Sequence, residues 1–144
     1  MTWRWPRQPD SRTCGPSVVV VARALAAGEV PDPWPGFATE VLAIHRRLNR
    51  WWPRALGTTP WAVRRALGGR VRRYRRSEVL AALPRPVPVW IGSRWLPRHV
   101  VLVLDERDGE PLVYDPARGA VVAITASRWQ HRWFAVLPEA VRIS

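Results

Sequence analysis

The chain holds a single cysteine, Cys14, no lysine, and no apolar run of membrane-spanning length. One cysteine excludes an internal disulfide, and with it the bridged framework of a small secreted domain; a reducing cytosol or thiol chemistry fits instead. The longest apolar stretch, residues 17–28, is interrupted by Arg23 and falls short of the ~20 residues a membrane helix needs. Read as a signal peptide it would be cut away together with Cys14, so a buried central helix in a soluble, cytoplasmic protein is the expectation. No internal repeat or low-complexity segment is visible. No His, Cys and carboxylate stand at metal-ligand spacing, so no metal and no cofactor is expected.

Acidic residues are also scarce, 11 against 23 basic ones, for a net charge of +12. All the basic residues are arginine, which we attribute to the codon usage of a GC-rich genome. They spread from Arg4 to Arg142, with one dense run over residues 70–76 that reads as a solvated loop and helix face. Neither a nucleic acid nor a membrane is an expected partner; attraction of acidic substrates is the alternative use of the charge. A chain of 144 residues suits one domain, residues 1–144, able to bury roughly 70% of its unfolded surface.

Local patterns divide the chain in two. Pro16 suits a first helical turn, Ala22 to Ala27 favour helix and Gly28 stops it, which outweighs the strand propensity of Val18 to Val21. Prolines 31, 33 and 35 then impose a loop around Trp34. Phe37, Val41, Leu42, Ile44 and Leu48 recur at helical spacing, opposed by Glu40, His45, Arg46 and Arg47. Thr58-Thr59-Pro60 caps a third helix running through Trp61, Val63 and Leu67 to Gly68-Gly69, and Ser77 caps a fourth over 78–83. After Pro84 the pattern turns to strands: 87–91, 99–104, 112–114, 120–124 and 133–137, with Asp108-Gly109 as a hairpin turn. A turn capped by Thr125 or Ser127 carries Trp129. Helices first and strands afterwards predict an α+β fold with an antiparallel sheet.

Four residues suit attack of a thiolate on a carbonyl. Cys14, before Gly15-Pro16, sits where a helix start favours the anionic thiolate. Six residues upstream, the Gln8 amide can donate to an oxyanion. His99 and Asp115, on two predicted strands, lie side by side if the strands pair, the carboxylate fixing the imidazole's tautomer. His45 and His131 read as structural, on a polar helix face and in a turn. Trp3, Trp5 and Trp95, near Gln8 and His99 in sequence, are candidates to line a cleft or to pack in the core.

Gln8-x5-Cys14-Gly15-Pro16 at a helix start, His99 opening an apolar strand and Tyr114-Asp115-Pro116 closing the next resemble papain-like cysteine peptidases. The nearest subgroup is the bacteriocin-leader peptidases that cut after a double glycine, and their stand-alone relatives. Plant and lysosomal relatives carry Cys-Gly-Ser-Cys-Trp and an orienting Asn, where this chain has Cys-Gly-Pro-Ser and an Asp. The resemblance covers nearly the whole chain from Gln8. It implies a papain-like fold, helices packed on the sheet, Cys14 as nucleophile, His99 as base and then acid, Asp115 as orienter and Gln8 as oxyanion donor. It implies a cysteine peptidase acting on a peptide or protein. Because the transporter of full-length leader peptidases is lacking, a double-glycine substrate is not carried over; without a pro-segment or secretion signal, processing inside the cell is expected over digestion. The same residues also suit acyl transfer, deamidation or a toxin-type effector, and a catalytically silent binding module is the non-enzymatic alternative.

Overall fold

The computed structural model describes residues 5–9, 14–28, 36–48 and 59–138. Helix α1 (Cys14–Ala26) is buried at every position from Cys14 to Ala22. Burying a valine is worth about 1.5–3 kcal/mol, whereas β-branching costs a helix only about 0.5 kcal/mol per residue, so a central position decides for helix over local propensity. Arg23 points outward and donates to the Ala66 carbonyl at 3.2 Å.

Helix α2 (Phe37–Leu48) packs Phe37 and Val41 onto α1. His45, expected on its polar face, is buried at 3% exposure. The reason is periodicity: 37, 41 and 45 are each four apart and share one stripe. Helix α3 (Pro60–Leu67) is capped as predicted, the Thr59 hydroxyl accepting from the Ala62 N–H at 3.1 Å. Thr58, Trp34 and the prolines before it lie outside the described residues.

Six antiparallel strands follow in the spatial order β1-β6-β2-β3-β4-β5. Their ranges are β1 (Arg70–Arg73), β2 (Val87–Gly92), β3 (Pro97–Arg107), β4 (Glu110–Asp115), β5 (Ala120–Ala123) and β6 (His131–Leu137). β1 corrects the expected loop and helix face. It pairs with β6 at the sheet's edge, turning only Val71 partly inward. An edge strand needs a partner on one side only, and its arginines discourage pairing with another chain on the open side. Helix α4 (Arg76–Ala82) starts two residues before its expected position; Arg75 is at its N-cap and Ser77 lies inside the first turn, so Ser77 is not the cap. The predicted turn near Trp129 is a 3-10 turn, Ile124–Ala126, without a side-chain cap; Ser127 follows it and accepts from the Trp129 N–H at 3.1 Å. His131 opens β6 instead of lying in a turn.

Alternation along the strands gives the sheet two apolar faces. Trp90, Val100, Leu102, Tyr114 and Val136 pack with α1, α2 and α3. Val87, Val89, Ile91, Val101, Val103 and Ala135 face the other way, toward Val79 of α4 and Ile124. Central β2 is therefore buried along its whole length. The Asp108-Gly109 hairpin forms as predicted, both residues having positive φ, 53° and 77°, as a type I′ turn requires.

Gly92 ends β2 beside a register shift, pressed against the loop that leads into β3. A Cβ there would stand 2.1 Å from the Leu96 carbonyl oxygen and 2.7 Å from the Arg98 nitrogen, both backbone atoms that cannot swing away. Gly92→Ala is expected to destabilise the protein by about 3 kcal/mol. Urea unfolding measures it, and a midpoint equal to that of the parent would refute the close approach.

Candidate active site

Cys14 is the first residue of α1, so its own backbone N–H belongs to the helix's unbonded first turn. The side chain is 7% exposed. β3 and β4 bring the other two residues together. The register pairs Leu102 with Tyr114, so His99 and Asp115 stand near the same end of the two paired strands.

His99 Nε2 and Asp115 Oδ1 are 2.7 Å apart, with both side chains largely buried. That bond occupies Nε2, and the Cys14 side chain is close enough to the ring to favour its charged form. Asp115 Oδ1 also accepts from the Ala117 N–H at 3.0 Å, and Oδ2 faces Arg118 Nε at 3.7 Å. Burial alone would push the Asp115 carboxyl up, but the His99 bond and charge, the Ala117 N–H and Arg118 together hold it below the usual carboxylate range. Burial likewise disfavours a charged His99 ring. The hydrogen bonds to Asp115 and Cys14 outweigh it and lift the imidazole to about 9.

A raised histidine value has a definite sign. The imidazolium is favoured in the fold, so its stabilisation is complete below the ordinary value of about 6.5 and disappears as pH rises through about 9. At neutral pH the ring thus stands protonated. NMR titration of the His99 ring is expected to show a midpoint near 9 in the native protein; a midpoint near 6.5 would contradict the paired arrangement.

Gln8 reaches the site through a strap. Its N–H donates to the Pro116 carbonyl at 2.8 Å, and Arg7 Nε donates to the Ala117 carbonyl at 2.9 Å. The buried Tyr114 hydroxyl donates to the Pro6 carbonyl, and the Trp5 ring lies 5.5 Å from that of Tyr114. Gly119 admits the strap, since a Cβ would meet Trp5 and Arg7 atoms at 3.1 Å. Residues 5–9 are thereby held along the end of β4 and the turn after it. A cleft of about 540 Å³ results, lined by Gln8, His99, Asp115 and Trp129 with three arginines, Arg98, Arg118 and Arg128. Cys14 lies near the His99 ring, outside this lining.

Of the four sequence candidates, Gln8, His99 and Asp115 line one cleft, and Cys14 lies near His99. Trp95 does not line the cleft: it is 73% exposed on the β2–β3 loop, with the Arg94 guanidinium over its ring. Trp5 packs on Tyr114 instead, and Trp3 lies outside the described residues. His131 is exposed beside Trp133, and His45 lies in α2, so neither belongs to the site. Sequence reasoning missed Trp129, the cleft arginines and the Ala117 N–H; the Asp-Pro turn after β4 was the one available signal for the last. Among the described residues no three metal-ligating side chains cluster, and no helix is long and apolar enough to cross a membrane.

No protein-family model matches the chain, and no curated sequence matches it. A solved structure does. The peptidase domain of Streptococcus ComA, a bi-functional ABC transporter involved in a quorum-sensing pathway, superposes with a TM-score of 0.61 at 22% identity, covering 95% of this chain and 99% of that domain. The fold is papain-like. The α+β arrangement expected from the sequence is thus the one observed, and the resemblance drawn from Gln8, Cys14, His99 and Asp115 meets a peptidase domain as its structural neighbour. In this papain-like fold the two halves of the site come from the two layers, Cys14 from the central helix and His99 with Asp115 from the sheet.

Proposed function

We propose that the protein is a cysteine peptidase that cleaves a peptide or protein through an acyl-enzyme. The observation that carries this reading is the His99 ring, bonded to the Asp115 carboxylate at 2.7 Å with the only cysteine near enough to favour its charged form. A ring protonated at neutral pH stabilises an adjacent thiolate by direct charge pairing. Cys14 Sγ attacks the scissile carbonyl carbon; its backbone N–H and the Gln8 amide donate to the oxygen as it becomes anionic. The tetrahedral intermediate collapses as the imidazolium gives its proton to the leaving amine. The neutral ring then takes a proton from water, which attacks the thioester and releases the carboxylate product. Asp115 keeps the ring turned toward Cys14 throughout.

A thiol that must stay reduced suits a reducing compartment, and the cytoplasm is the location we propose. The existence of a peptidase domain of the same fold supports the class of chemistry. Incubation with a peptide vinyl sulfone, followed by peptide mapping, tests the reading: one adduct is expected, on Cys14. No adduct on the folded protein would reject it. Product mass separates hydrolysis from its neighbours, since a cut adds one water across a bond, while deamidation adds about one dalton without a cut.

A further inference from the structure

Three arginines line the cleft. Outside it, four arginines have acidic neighbours: Glu78 lies within 4 Å of Arg72 and Arg75, and Glu110 within the same reach of Arg76 and Arg132. In the cleft the one lining carboxylate is Asp115, and it is already engaged by His99 and Arg118. Arg98 and Arg128, both exposed on the lining, have no acidic partner among the described residues. Arg128 is also held in place, its guanidinium stacked 4.3 Å from the Trp129 ring. Two uncompensated guanidiniums beside a protonated imidazole focus positive potential on one groove.

From this we infer that the cleft takes peptides bearing Asp or Glu next to the scissile bond, and that Arg98 and Arg128 are the residues that read the carboxylate. The inference rests on the peptidase reading and names its substrate class. A guanidinium offers two parallel N–H donors to a carboxylate, so recognition is by geometry as well as by charge. Phosphates of a nucleic acid would answer to the same charge, but a groove lined by Gln8 and the His99–Asp115 pair suits, on the peptidase reading, an amide bond.

The test needs no knowledge of the natural substrate. Iodoacetate and iodoacetamide alkylate the same sulfur and differ in one negative charge. In Arg98→Gln/Arg128→Gln the ratio of their rates at Cys14, which cancels any change in the thiol's own reactivity, is expected to drop about tenfold, roughly threefold for each arginine. Added salt should lower the ratio in the native protein. An unchanged ratio overturns the inference. Digestion of a mixed peptide library, with cut sites read by mass spectrometry, should show Asp and Glu enriched beside the cut, and the enrichment lost in the variant. Cuts without that enrichment overturn the acidic preference and leave the peptidase reading standing. No cuts by a protein whose Cys14 does alkylate would reject the peptidase reading. Protection of Cys14 by a single-stranded oligonucleotide, but not by a glutamate-rich peptide, would reassign the groove to phosphate and overturn the inference.

Discussion

Cys14→Ala is expected to leave a folded protein whose peptide cleavage has fallen by about 10⁶, the loss seen when a nucleophile is removed from a comparable acyl-transfer site. Cys14 is small and lies at a helix start, so its replacement removes one buried sulfur and costs on the order of 1–2 kcal/mol of stability. Serine should do no better than alanine, because a hydroxyl is far too weak an acid to share its proton with the imidazole. The chain's only cysteine also supplies an internal control: the variant must show no iodoacetamide adduct anywhere. Thermal melting and cleavage of the same peptides are measured side by side. Turnover within tenfold of the parent in a melted-as-normal Cys14→Ala protein would remove the nucleophile assignment.

His99→Ala should lower turnover by about 10⁶ and Asp115→Ala by about 10⁴, and the double variant should be little worse than His99→Ala alone. Asp115 acts through the His99 ring, so once the ring is gone nothing remains for the Asp115 substitution to remove. Additive losses would show that the two residues act independently. Asp115→Asn discriminates further. Both the His99 bond and the Ala117 N–H fall on Oδ1, which an asparagine oxygen can replace; its amide would take the place of Oδ2, which faces only Arg118. The asparagine variant should therefore recover most of what alanine loses. At the same time the His99 midpoint should move down from about 9, since the carboxylate charge that favours the imidazolium is gone. Recovery without that downward movement would mean that Asp115 does not set the ring's charge.

Features governed by apolar periodicity or by a specific turn residue were legible before the structure. The alternating strands, the Asp108-Gly109 turn, the Thr59 cap and the central helix through Val18–Val21 all belong to that class. Features governed by tertiary position were not. β1 contains three arginines in four residues and carries no apolar alternation, yet it is a strand because β6 offers its edge. His45 looked polar by residue type and is buried because its spacing from Phe37 and Val41 matters more than its imidazole. The same division holds at the site. The order of Gln8, Cys14, His99 and Asp115 could be read along the chain, since each carries chemistry by type. The strap that brings Gln8 to the turn after β4 depends on Tyr114, Gly119 and backbone carbonyls, which carry no such mark.

The strand order has a consequence for biosynthesis. Cys14 is made early, whereas His99 follows about 85 residues later and Asp115 later still. Between β1 and β2 the sheet leaves a place that only β6, the last of the six strands, can fill. Pairings of such long sequence separation form slowly and late. At ordinary ribosomal speeds of about 5–20 residues per second, a growing chain carries its thiol for several seconds before a base stands beside it. On the proposed mechanism, the nascent polypeptide is chemically unarmed while it is itself an extended, cleavable substrate, and reactivity arrives together with the completed sheet.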